Sequence, residues 1–364
     1  MRAAVLREFN RPLTVEDVTL DEPRAGEVLV RLAASGVCRS DLHAQEGRSV
    51  VANPPMVLGH EGAGVVEAVG PGVLGVAPGD HVVIALYGPC GRCEPCRTGQ
   101  LQRCNGPSRQ STFGYMADGT TRLHVGDEVI RPMVGAGSLA EYSVVAEAMT
   151  VKVPDDVPLE SAALTGCGVT TGIGAALNIA QVQPGSTVVV IGCGGVGLNV
   201  IQGSVVAGAR RVIAVDTMAG KLDLASDFGA TDCLLAGEDP VAAVRQLVPG
   251  GVDYAFEVIG IPAVVRQAFE MTRDGGTAIM VGSPPAGEDI SIDGRLLFSD
   301  RRLLGCMGGA NIPQRDIPRI IELYRAGKLK LDELISQRLP LDRVNDAFEA
   351  LHHGEVARSV ITLS

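Results

Sequence analysis

Between Glu160 and Arg210 the chain carries no charged residue. A stretch of that length without charge belongs inside a bilayer or inside a protein. Gln181, Gln183, Pro184 and several glycines interrupt its apolar runs, so none reaches the ~20 consecutive apolar residues of a transmembrane helix. Buried α/β core is the remaining reading. Thr187-Val-Val-Val-Ile191 is a β-branched strand, Gly195 to Ala207 a helix of small residues, and Arg211-Val-Ile-Ala-Val215 a second apolar strand, together one βαβ unit. Strands expected at Asp253 to Ile259 and Thr277 to Val281 alternate with helices at Lys221 to Phe228 and Pro262 to Thr272, which predicts a doubly wound parallel sheet.

The turn from strand to helix reads Gly192-Cys193-Gly194-Gly195-Val196-Gly197, a G-x-G-x-x-G pattern, and Asp216 ends the next strand about 20 residues on. Gly192 makes the tight turn, Gly194 lets backbone amides approach a pyrophosphate, Gly197 allows close helix packing, and the helix N-terminus adds partial positive charge. In a chain with 46 glycines the pattern alone says little, but strand, fingerprint and acid together point to a dinucleotide. Asp216 suits a ribose diol and repels a 2′-phosphate, so NAD is expected rather than NADP.

Before residue 160 the pattern changes. Short β-rich pieces, Glu27 to Leu32, Gly64 to Val69 and His81 to Ala85, are separated by turns such as Pro71-Gly72 and Pro78-Gly79, as in a mostly antiparallel β domain. Helices are expected at Ile317 to Ala326 and Val344 to His352, then a strand at Ser359 to Leu363. The 364 residues thus suffice for two domains. A net charge of −11 with scattered Lys and Arg argues against a nucleic-acid partner. Charge returns by Arg7, too early for a signal peptide, so the cytoplasm is the expected location, with no membrane partner.

Four of the nine cysteines crowd into one loop as Cys90-x2-Cys93-x2-Cys96-x7-Cys104. In a reducing compartment that spacing suggests metal thiolates, matching a closed tetrahedral zinc site, with an iron–sulfur cluster as competitor. Four ligands leave no open position, so such a metal would be structural. Cys38, His60 and Cys167 stand apart; taken singly each could be an ordinary core residue. Two cysteines and one histidine would leave a fourth zinc position open for catalysis, although spacing does not prove the grouping.

These motifs carry a family likeness. Gly-Val-Cys-Arg-Ser-Asp at 36–41, Gly-His-Glu at 59–61, the 90–104 cysteine loop, Gly-Cys-Gly-Val-Thr-Thr-Gly at 166–172 and Gly192 to Gly197 with Asp216 occur in shared order. The chain resembles the zinc-dependent medium-chain alcohol dehydrogenases over essentially its whole length. The likeness implies a GroES-like catalytic domain at 1–168 and 308–364 with a structural-zinc loop at 90–104, and a Rossmann NAD-binding domain at 169–307. It implies two zinc ions per subunit: a structural one on Cys90, Cys93, Cys96 and Cys104, and a catalytic one on Cys38, His60 and Cys167. Glu61 would be an occasional ligand or lie behind the metal, and Asp41 would orient His60. Ser40 and His43 match a proton relay. Arg39 and Arg358 would meet the pyrophosphate, Lys221 the adenosine ribose, and Thr171 the nicotinamide, beside Gly192, Gly194, Gly195, Val196, Gly197 and Asp216.

The implied reaction is reversible, NAD-linked oxidation of a primary alcohol to the aldehyde. Leu86, Met133 and Ser283 fall at substrate-wall positions, and Leu86 stands where many members have an aromatic, so a roomy apolar pocket for bulky or benzylic alcohols is expected. Thiol-adduct-linked formaldehyde oxidation is the alternative within the family. Outside it stand a zinc-free quinone reductase, opposed by the retained ligands, and a non-catalytic zinc-binding interaction protein. The long stretch from Cys104 to Val134 resembles dimeric members more than tetrameric ones, so a homodimer is expected.

Overall fold

The computed structural model describes residues 1–354 and 356–363. The chain divides into two units, residues 1–168 with those from Ile312 onward, and Val169–Asn311. The second unit therefore extends past the expected boundary at residue 307, to Asn311. Its last turn stays because the Asn178 side chain donates to the Gly309 carbonyl at 3.1 Å, and the Gly309 backbone lies against Gly174 too closely for any Cβ.

The first unit is built on two sheets. One follows the order Thr14–Asp17, Arg2–Leu6, Met56–Val57, Glu128–Pro132, Leu123–Val125 and Thr19–Leu20. The other runs Thr150–Lys152, His81–Ile84, Glu61–Val69, Glu27–Val37, Arg358–Thr362 and Ile335–Pro340, with Tyr142–Ala146 added beside Glu27–Val37. All pairs are antiparallel except Met56–Val57 with Glu128–Pro132 and Ile335–Pro340 with Arg358–Thr362. Alternation drives the pairing: in Glu27–Val37 the residues Val28, Val30, Leu32 and Ala34 are all buried, and Val28, Val30 and Leu32 join a core with Leu6, Met56, Ile84, Leu139 and Phe348. One edge of that core is tied by a buried ion pair. Arg122, 2% exposed, donates through Nε and Nη2 to the Glu27 carboxylate, at 2.8 and 2.5 Å.

The second unit is a six-stranded, wholly parallel sheet. Its order is Asp232–Leu235, Arg211–Asp216, Thr187–Ile191, Val252–Glu257, Thr272–Met280 and Arg302–Gly305. Counting strands along the chain gives 3-2-1-4-5-6, the doubly wound order whose switch point lies between the first and fourth strands. Thr187–Ile191 is buried throughout, as a central parallel strand must be. The expected strand at 253–259 stops at Glu257, whose side chain turns back onto the following amides. The strand expected at 277–281 begins earlier, at Thr272. Among the described residues no single helix is long and apolar enough to cross a membrane.

Candidate active site and metal centres

Strand Glu27–Val37 delivers Cys38 to the N-cap of helix Arg39–Gln45 in an extended conformation. Asp41, at the third helical position, closes a capping box by accepting the Cys38 amide on Oδ2 at 2.8 Å. Its other oxygen accepts the Gly59 amide at 3.0 Å and lies 3.2 Å from His60 Nδ1. One fully buried carboxylate thus fixes Cys38, Gly59 and His60 together. With Nδ1 held by a carboxylate, the imidazole presents Nε2 as a lone pair, and that buried Nε2 has no hydrogen-bond partner.

Around it lie Cys38, Glu61 and Cys167, each offering one ligand atom, with all four atoms within 4.8 Å of one another and all four residues buried. Two thiols, one imidazole nitrogen left bare and a carboxylate form the donor chemistry of a zinc site, and the residues fit the ion. Cys38 and Cys167 share a hydrogen bond that holds the Cys38 thiol well below its usual range and lifts that of Cys167. Burial drives Glu61 up to about 8 despite the neighbouring Arg358. Burial opposes the charged form of His60, yet Asp41 and Cys38 outweigh it and raise its pKa.

Glu61 Oε1 accepts the Gly168 amide at 3.0 Å and lies 3.3 Å from Arg358 Nη1, while its Oε2 has no partner. Gly36 leaves the room: a Cβ there would collide with that Oε2. Arg358 is only 4% exposed, and its guanidinium also approaches the Cys38 sulfur. The structure thus makes Arg358, expected at the pyrophosphate, a buried counter-charge to the cluster. That link was invisible in the sequence, where Glu61 and Arg358 lie at opposite ends of the unit; the strand pairing Gly36↔Val360 brings their neighbourhoods together.

Ser40 is exposed, with its hydroxyl 3.8 Å from Cys38 Sγ. His43, on the same helix, is half-buried, and burial with the charges of Arg48 and Arg39 lowers its pKa. Arg39 is exposed at the first helical position. Among the substrate-wall positions, Leu86 is half-buried, Met133 lies 3% exposed inside the first unit's core, and Ser283 is exposed in the second unit.

The second donor set is Cys90, Cys93, Cys96 and Cys104, whose sulfurs also lie within 4.8 Å of one another. Helix Glu94–Arg97, opened by Pro95, turns the chain so that Cys93 and Cys96 share its start. Burial alone would raise the Cys93 thiol, but the amides of Cys96 and Asn105 and nearby thiols bring it down to about 6. Amides aimed at sulfur favour thiolate, as a metal does, and four sulfurs in one cradle fit a closed zinc site.

In the second unit Gly194 has open space where a Cβ would stand, and a Cβ on Gly197 would strike the Gly192 carbonyl. The first leaves the loop approachable; the second seats the helix on the strand. Asp216, 8% exposed at its strand end, accepts the Cys193 amide on Oδ2 at 2.8 Å and the Met218 amide on Oδ1 at 3.0 Å. Each oxygen keeps a lone pair for a ribose hydroxyl, so these residues fit a dinucleotide. Lys221 and Thr171 are half-buried within this unit. Cys193 is a packed small residue, its thiol raised by burial to about 12.

Comparison with known proteins agrees with this geometry. Residues 24–155 match the alcohol dehydrogenase GroES-like domain family, and residues 195–326 the zinc-binding dehydrogenase family. The S-(hydroxymethyl)glutathione dehydrogenase of Saccharomyces cerevisiae is 40% identical over 99% of this chain and 95% of its own. An alcohol dehydrogenase zinc-binding domain protein from Burkholderia ambifaria superposes with a TM-score of 0.95 at 37% identity, covering 100% of this chain and 98% of that one. Benzyl alcohol dehydrogenase from Acinetobacter calcoaceticus superposes with a TM-score of 0.94 at 34% identity, covering 100% and 99%. The chain belongs to the zinc-dependent medium-chain alcohol dehydrogenases, NAD-linked oxidoreductases that combine a GroES-like with a Rossmann domain.

Proposed function

We propose that this enzyme oxidises a primary alcohol whose CH2OH group sits on a bulky, apolar body, benzyl alcohol being the model substrate, with Cys38, His60 and Cys167 as the catalytic zinc ligands. The observation that carries the reading is the buried donor set around the unpartnered His60 Nε2. When bound, zinc would supply Lewis acidity that lowers an alcohol's pKa, and NAD would supply the hydride acceptor.

The chain's own residues supply the rest. Asp41 holds the His60 ring with Nε2 turned toward the donor set. Glu61 and Arg358 balance charge behind the thiolates, and Glu61 Oε2 stands ready as an additional ligand. Ser40 and His43 are the chain's own members of the relay that carries the substrate proton to solvent, and burial with the charges of Arg48 and Arg39 lowers the His43 pKa, favouring the proton-accepting imidazole. Cys90, Cys93, Cys96 and Cys104 hold the structural zinc. Arg39, Lys221 and Thr171 serve the cofactor, with Gly192, Gly194, Gly197 and Asp216.

The aliphatic Leu86 stands where many members of the family carry an aromatic, and the similarity to benzyl alcohol dehydrogenase supports this choice. A second reading has its own support: the curated relative named above is an S-(hydroxymethyl)glutathione dehydrogenase, and a hydroxymethyl thioether is also a primary alcohol on a bulky group. Initial rates of NADH formation with ethanol, benzyl alcohol and S-(hydroxymethyl)glutathione separate the two. The first reading requires kcat/KM for benzyl alcohol to exceed that for both others; ethanol ahead of benzyl alcohol overturns it. The enzyme acts as a homodimer. The outer edge of Arg302–Gly305 is unpaired among the described residues, beside Phe298 at 93% and Met307 at 68% exposure. Sedimentation at twice the chain mass is expected. Six thiols committed as metal ligands suit a reducing compartment, the cytoplasm.

A further inference from the structure

Glu257 ends the fourth parallel strand with no exposed surface and a carboxylate used asymmetrically. Oε1 accepts the amides of Ile259 at 2.8 Å and Gly260 at 2.6 Å, with that of Ile261 farther off at 3.4 Å. Oε2 is buried without a hydrogen-bond partner, and among the described residues no cation pairs with the group. Burying a carboxylate with one oxygen empty is costly, and an apolar side chain would cost less if packing were its only duty.

What Oε1 gathers is the turn on the far side of the sheet's switch point. Ile259 lies where its side chain would meet a Cβ on Gly192, the first glycine of the fingerprint. Gly260, at φ +93°, lies against the backbone of Ser283, and the Glu257 carbonyl accepts the amides of Val281 and Gly282 at 2.8 and 3.1 Å. One side chain therefore sets the spacing between the fingerprint loop and the two strand ends that face it across the crevice where such sheets bind dinucleotides.

We infer that Glu257 is a positioning residue for the dinucleotide, its Oε1 holding the 258–261 turn as the crevice wall opposite Gly192–Gly197. The inference rests on NAD being the cofactor. It assigns no direct contact to the carboxylate; the group acts through the turn.

Three variants test it, with NADH affinity followed by the fluorescence of the bound cofactor in a protein without tryptophan. Glu257→Ala strands the buried Gly260 amide and frees the part-buried Ile259 amide, so the turn loosens and its NADH Kd rises roughly tenfold. Glu257→Gln keeps an acceptor at the same reach, and its Kd stays within about threefold of wild type. At saturating NAD both keep kcat within about threefold, because the reacting groups are untouched. In the cofactor-free protein, hydrogen exchange at Ile259 and Gly260 speeds up in Glu257→Ala and not in Glu257→Gln. If the alanine variant does not fold, Glu257→Asp, one methylene short, is expected to show the same losses. Unchanged NADH affinity in the alanine or aspartate variant, or equal impairment in Glu257→Gln, overturns the inference while leaving the cofactor assignment intact. A wild-type protein that fails to bind NADH overturns both.

Discussion

Asp41→Asn isolates the positioning of His60 from the zinc donors themselves. The aspartate offers two acceptor oxygens to three partners: Cys38 N at 2.8 Å, Gly59 N at 3.0 Å and His60 Nδ1 at 3.2 Å. Asparagine keeps the shape but has one oxygen. If its amide nitrogen replaces Oδ2, it faces the Cys38 amide; if it replaces Oδ1, it faces both the Gly59 amide and the imidazole N–H. The first orientation costs less, leaving the Cys38 amide unpaired and turning the asparagine's own N–H donors toward it, at least roughly 1–3 kcal/mol of stability. The histidine also loses its negative partner, and loss of such an orienting group typically weakens metal affinity by about 10–100-fold, ~1.4–2.7 kcal/mol. Competition with a chromogenic chelator should then resolve two zinc ions per chain, one shifted by that factor and one unmoved, the latter removed by Cys93→Ser. Retention of both ions at wild-type affinity, or loss of both in equal proportion, would refute the reasoning.

Three further outcomes are expected. Arg122→Met leaves Glu27 charged and unpaired in the first unit's core, so urea unfolding should show a loss of about 3–5 kcal/mol; a change under 1 kcal/mol contradicts the buried-pair account. Arg211 holds Asp232 below the usual carboxylate range, which stabilises the fold above the unfolded pKa of about 3.9 and is lost as pH falls toward the lowered folded value. Asp232→Asn should therefore flatten the acid limb of stability between pH 5 and 3, and an unchanged slope counts against it. Asp216→Gly should raise the NADP/NAD ratio of kcat/KM by removing the carboxylate that repels a 2′-phosphate; an unaltered ratio contradicts its role.

Local chemistry was the legible part of the sequence. The Gly192–Gly197 fingerprint and the spacing of Cys90 to Cys104 each encode a structure that short-range rules can read, whereas Cys38, His60 and Cys167, far apart in the chain, are grouped only through the family likeness. Less legible were features made by long-range pairing. No strand is expected at Arg302–Gly305, a short edge strand of mostly exposed residues that lacks the apolar run of Thr187–Ile191. Arg358 is expected at the pyrophosphate from the family likeness, and its burial beside Glu61 comes from strand pairing that the sequence does not display. Glu257 lies in no motif, since its partners are backbone amides and any sequence supplies those.

Turnover with and without metal tests the central claim most directly. Protein carrying two zinc ions per chain should form NADH from benzyl alcohol and NAD, followed by absorbance, lose that activity with a chelator and regain it when zinc is returned. No turnover with any primary alcohol or aldehyde at full zinc loading, or turnover indifferent to removal of the ion held by Cys38, His60 and Cys167, would contradict the account.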